Sequence, residues 1–122
     1  MKRNTQLLFA AVITVVALAV VPLAAAATAQ RTATTTVRVK AGEMYFKLST
    51  KVLAKPGAVT FAVTNAGHLV HHFKINGKTT SMLQPGKTVS LVVTFTKKGR
   101  YRYECTVPGH AAAGMKGTFT VR

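Results

Sequence analysis

From Val37 to Val121, apolar residues recur at every second position, and glycine, proline and asparagine mark the turns between the runs. Val37 and Val39 alternate with Arg38 and Lys40, and Met44, Phe46 and Leu48 with Glu43, Tyr45 and Lys47. Phe61 and Val63 follow the turn Pro56-Gly57. His71, Phe73 and Ile75 share one parity, with His72 and Lys74 on the other. Asn76-Gly77 and Pro85-Gly86 precede Val89, Leu91, Val93 and Phe95, a run in which only Val92 is out of step. Tyr101, Tyr103 and Cys105 then alternate with Arg100, Arg102 and Glu104, and a last run carries Phe119 and Val121. A period of two belongs to strands whose two faces meet different surroundings. About eight short strands at regular spacing predict an all-β sandwich or barrel of antiparallel type. Neither a repeat nor a second domain interrupts the pattern.

The first residues follow another rule. Lys2 and Arg3 precede an apolar run from Leu7 to Val21, broken only by Thr14, and Pro22 and the small-residue stretch Ala27-Thr28-Ala29 follow. This is the layout of a signal segment cleaved after Ala29. Retention as a membrane anchor is the alternative, although a bilayer span needs about 20 apolar residues. Both readings place the folded part outside the cytoplasm: periplasmic, at the cell surface or secreted. The expected organisation is a signal segment over 1–29, a polar, flexible lead-in over 30–36 and one domain over 37–122. A domain this small gains from a bound metal.

Seventeen Lys and Arg residues stand against two acids, a net charge of +15. Such a field favours anionic partners, such as the acidic face of a protein or an anionic membrane surface. The cations are scattered rather than massed in one helix or tail, and the chain is exported. Nucleic acid is therefore not the expected partner. Nothing in the pattern calls for a second copy, and a monomer is expected.

Cys105 is the only cysteine, whereas exported proteins normally use cysteines in pairs. A buried inert thiol, an intermolecular bridge, a nucleophile and a metal ligand are the alternatives. Its neighbourhood decides among them. Cys105, His110 and Met115 lie in one segment, each separated from the next by four residues, with Pro108-Gly109 turning the chain between the first two. A loop this compact can bring a thiolate, an imidazole and a thioether to one point. Thiolate and thioether suit Cu(I) and imidazole also suits Cu(II), and a trigonal His₂Cys set with a long axial Met is the blue-copper electron-transfer site.

The second histidine must come from elsewhere. Parity aims His71 inward with Phe73 and Ile75 and His72 outward with Lys74, while His68 sits in a turn with no strand to aim it. A one-residue bulge would exchange His71 and His72. Zinc is poorly served by one Cys, two His and a Met. A nucleophilic Cys-His pair would need an orienting acid; Glu104 points away from Cys105 by alternation, and Glu43 is not expected near it.

The segments Asn65–Phe73 (NAGHLVHHF) and Tyr101–Val121 (YRYECTVPGHAAAGMKGTFTV) resemble the plastocyanin/azurin-like cupredoxins, and among them the auracyanin and sulfocyanin-like members. The resemblance runs from about Val37 to Arg122. It implies a Greek-key β-sandwich with one type 1 copper ion held by His71, Cys105, His110 and Met115. It also implies a non-enzymatic electron carrier that docks redox partner proteins over an apolar patch, here Val107, Pro108 and Ala111–Ala113 with Leu69 or Val70 nearby. Many relatives have Asn after the first His ligand to brace the Cys loop, where this chain has His72, which leaves the bracing and the redox potential open. Copper storage or delivery outside the cytoplasm is the alternative role. An oxidase-like enzyme would need more histidines than His68 and His72 can add.

Overall fold

Each long run presents one apolar face, and two such sheets cover each other's apolar faces. The computed structural model describes residues 33–122. Among them lie nine strands: β1 (Thr35–Gly42), β2 (Tyr45–Leu48), β3 (Val52–Leu53), β4 (Gly57–Asn65), β5 (Lys74–Ile75), β6 (Lys78–Thr79), β7 (Thr88–Phe95), β8 (Gly99–Glu104) and β9 (Lys116–Val121). One sheet has the order β2-β1-β4-β7 and the other β3-β9-β8-β5-β6. The chain passes repeatedly from one sheet to the other, the Greek-key sandwich that the resemblance implied.

Burial follows the parity of the sequence. In β4, Val59, Phe61, Val63 and Asn65 face inward, and in β7 Val93 and Phe95 do, whereas Val92 is 57% exposed. Phe61 centres the core, with ring centroids 5.3 Å from Phe73, 6.3 Å from Phe95 and 5.4 Å from Phe119. Phe46 meets Phe73 and Tyr103 edge-on, as the quadrupoles of the rings favour. This cluster fills the middle of the sandwich and leaves its end beyond Tyr103 for smaller, polar side chains.

Four features differ from expectation. The sheets are mixed rather than antiparallel throughout, because β1 runs parallel to β4 and β3 parallel to β9. After β2 the chain visits the second sheet and returns, so β4 lies beside β1 in the same direction; parallel neighbours require such a crossover, and alternation carries no trace of it. Secondly, β1 starts two residues before Val37, inside the segment expected as flexible over 30–36, because Thr35 and Thr36 continue the ladder opposite Val59 and Thr60. Thirdly, β3 and β6 have two residues each, too few to alternate, which makes the total nine rather than about eight.

The fourth concerns the expected strand from His71 to Ile75. Only Lys74 and Ile75 form β5, and His71 is instead tied to Leu83 by reciprocal main-chain bonds of 3.1 and 2.8 Å. Its parity is kept: His71, Phe73 and Ile75 are all fully buried. The hairpin after β5 turns on Asn76 and Gly77, whose φ values of 49° and 74° suit the two-residue turn. The signal segment over 1–29 and its cleavage point lie outside the described residues. Among those described, no helix is long and apolar enough to cross a membrane.

Candidate metal centre

β8 places Tyr103 and then Cys105 on the inner side of the second sheet, so the thiol ends up buried at one end of the sandwich. The chain then closes on itself. Pro108-Gly109, with Gly109 at φ 83°, reverses its direction, and His110 N donates to Val107 O at 3.1 Å. Met115 N donates to His110 O and Cys105 N to Met115 O, each at 3.0 Å. These bonds bring the His110 ring back to the thiol, with Cys105 Sγ 3.6 Å from His110 Nδ1. Met115 is fully buried, and its main chain is bonded to both residues.

His71 arrives from the opposite side. Asn65, at the end of β4, holds the loop that carries it: its side-chain amide donates to Leu69 O at 2.7 Å and Leu83 O at 2.9 Å, and its carbonyl oxygen accepts from Gly67 N at 2.9 Å. His71 Nδ1 is thereby set 3.2 Å from His110 Nδ1, with the ring planes inclined at 60°. The donor atoms of His71, Cys105 and His110 all lie within 4.8 Å of one another. Two imidazole nitrogens and a sulfur thus face one small, buried space.

The other histidines are elsewhere engaged. His72 points outward, as parity requires, and its Nδ1 lies 2.8 Å from Thr106 Oγ1. Its main-chain N–H donates to Cys105 Sγ at 3.4 Å. The residue standing in the Asn position therefore does tie down the cysteine loop. His68 is exposed and contributes only its main-chain N–H, to Glu43 Oε1 at 2.8 Å.

Glu43 is the functional contact that sequence reasoning missed. It lies in the turn between β1 and β2, and Oε1 accepts from Leu69 N at 2.7 Å and stands 3.3 Å from His71 Nε2. Twenty-eight positions separate Glu43 from His71, so no local spacing linked them. The available signal was scarcity: a chain with 17 cations spends only two acids.

The bond from Leu69 N–H, helped by those from His68 and His71 and opposed by partial desolvation, holds the Glu43 carboxyl below its ordinary range. Burial pushes the His71 imidazole down, the Glu43 contact opposes this, and the neighbouring His110 adds to the fall. His71 is therefore kept neutral, the form a metal ligand needs.

One cysteine sulfur and two imidazole nitrogens suit copper in both of its common oxidation states. Residues 21–122 match the family model of copper binding proteins of the plastocyanin/azurin family. The chain belongs to that family. A copper-resistant cuproprotein CopI from Pseudomonas aeruginosa is 46% identical over 41 residues, 34% of this chain and 23% of that protein. Another CopI, from Rubrivivax gelatinosus, is 31% identical over 80% of this chain and 70% of its own length. The first of these matches thus takes in less than a quarter of its relative. Reduced auracyanin from Roseiflexus castenholzii superposes with a TM-score of 0.64 at 22% identity, covering 73% of this chain and 98% of that one, a likeness of fold.

As a plastocyanin/azurin-family cupredoxin, the chain takes one copper ion as its cofactor, with His71, Cys105 and His110 arranged to receive it. Of these three, His110 is the most exposed, at 8% against 0% for His71 and 1% for Cys105. Around it, Pro108, Ala112 and Ala113 are exposed, Val107 and Ala111 are half-buried, and Leu69 on the other loop is 47% exposed. No Lys or Arg occurs in 65–73 or 105–115.

Proposed function

We propose that the protein is an exported electron carrier whose copper would be held by His71 Nδ1, Cys105 Sγ and His110 Nδ1, with Met115 as a fourth ligand. Convergence of the three donor atoms in a buried space carries this reading. Bound copper would supply a one-electron couple. The protein's part is to keep the His71 imidazole neutral, hold the Cys105 sulfur with the His72 N–H, exclude water and present the His110 edge to a partner. The two segments that surround the site carry no Lys or Arg, which allows close, short-lived contact, as transient redox encounters require. Cations elsewhere on the molecule steer an acidic redox protein or hold the domain near an anionic membrane surface, and both effects weaken with salt. The domain acts outside the cytoplasm as a monomer, without nucleic acid and without substrate chemistry of its own. After His71 and His110, only His68 and His72 remain, too few for a second copper centre of the oxidase kind.

Adding Cu(II) to purified protein tests the site. One equivalent should produce an intense thiolate-to-copper absorption, narrow copper hyperfine splitting and a reversible one-electron wave. A pale adduct would overturn the blue-copper reading.

The names of the two CopI relatives favour a second reading, copper storage or delivery in resistance. Copper that passes readily to a competing chelator, together with an irreversible wave, would select it.

A further inference from the structure

His71 has two nitrogens in two different settings. Nδ1 faces His110 and the donor cluster, whereas Nε2 faces the carboxylate of Glu43 at 3.3 Å. An ionised carboxylate only accepts hydrogen bonds, so the ring proton must sit on Nε2, and Nδ1 keeps its lone pair. The nitrogen left without a proton is the one that faces His110 Nδ1 in the donor cluster. Moreover, the carboxylate is firmly placed. Its Oε1 is also bonded to two successive main-chain N–H groups, those of His68 and Leu69.

The loop is shaped to admit this group. A Cβ at Gly67 would collide with the Glu43 carboxylate. Because the carboxylate is the end of a flexible side chain, an alanine there would displace it rather than the loop. The other acid of the described residues, Glu104, is spent on the surface, 2.9 Å from Arg102 Nη2. Glu43 is therefore the acid that the fold commits to the histidine.

We propose that Glu43 is a positioning residue that fixes His71 in the Nε2–H form and, through its charge, favours the oxidised over the reduced ion. This rests on His71 being a copper ligand, as read above. The physical reason is that a carboxylate on the far nitrogen makes the imidazole a stronger donor and stabilises the greater positive charge of Cu(II). The contact also joins the β1–β2 turn to the site, so a side chain on one loop sets the chemistry of a ligand on another.

Nitrogen-15 NMR of the histidine side chains in the metal-free protein above pH 7 should show His71 protonated on Nε2. A proton on Nδ1 would overturn the proposal without any variant. Glu43→Gln keeps an acceptor oxygen for the two main-chain N–H groups but removes the charge, and Gly67→Ala expels the carboxylate while leaving it chemically intact. Both should weaken copper binding about 10- to 100-fold, the usual cost of losing a partner behind a metal-bound histidine. Both should also raise the midpoint potential. A Glu43→Gln protein with unchanged affinity and potential would reduce Glu43 to a brace for the loop and sink the proposal. Failure of the wild-type protein to form the blue site would instead sink the ligand assignment, and the tautomer measurement would still judge Glu43.

Discussion

The two segments that meet at the metal centre are built by opposite means. Cys105 to Met115 is held by its own main chain: Cys105, Val107, His110 and Met115 bond to one another within eleven residues. The loop from Asn65 to His71 is held largely by distant parts of the molecule. Asn65 reaches Leu83, Ala66 N donates to Ala41 O, His71 pairs with Leu83, and Glu43 grips His68, Leu69 and His71. The first segment carries most of the chemistry and needs little help to take shape. The second supplies one ligand and depends on three other parts of the fold. Changes in the first should therefore alter the metal chemistry, and changes in the second should alter stability and tuning.

The largest effect expected is from Cys105→Ser, which removes the thiolate and with it all of the intense visible absorption. The β-sheet circular dichroism of the metal-free protein should stay close to wild type, because Ser fits the same space. A variant that stays blue would remove Cys105 from the ligand set, and one that unfolds would break the contrast between the segments.

Asn65→Ala should come next. It removes three bonds made by a fully buried side chain: Leu69 O and Gly67 N lose their partner, while Leu83 O keeps its bond from His71 N, at a cost of about 1–3 kcal/mol. Denaturant unfolding of the metal-free protein measures this. A loss well under 1 kcal/mol would mean that the loop holds itself, as the other segment does.

Met115→Leu should act more mildly. Leu has nearly the volume of Met and the position is fully buried, so packing survives. Copper should remain bound, with a higher potential by voltammetry. An unchanged potential would exclude Met115 as a ligand.

The smallest effect should be a gentle acid dependence in the metal-free protein. His71 is held below the ordinary 6.5 and Glu43 below the ordinary 4.5. In each case the unfolded chain takes up its proton at a higher pH than the folded one. Stability is thus fully present above about pH 6.5 and falls as the pH drops, with the Glu43 contribution lost only below about pH 4.5. Unfolding midpoints across this range test the sign. Glu43→Gln should flatten the lower part, and a profile identical to wild type there would detach Glu43 from the network.

Much of this architecture was legible in the chain. Parity anticipated the burial of Phe61, Phe73, Phe95, Tyr103 and Phe119, the exposure of Val92 and the inward turn of His71 against the outward turn of His72, because a strand's side chains have only two directions to take. The ligand loop was legible because its spacing is local. What could not be read were the parallel pairings of β1 with β4 and β3 with β9, the two-residue strands and the reach of Glu43. Alternation says which way a side chain points and nothing about which strand lies beside it.

By itself, then, the sequence determined the face of each residue and the short loop that gathers Cys105 and His110, since both follow from near neighbours along the backbone. Tertiary structure alone decided that the turn after β1 would lie against the loop before His71, and so which acid would meet which histidine. Such an encounter depends on how two sheets stack and cross. That is set by the packing of the whole core, and no interval along the chain records it.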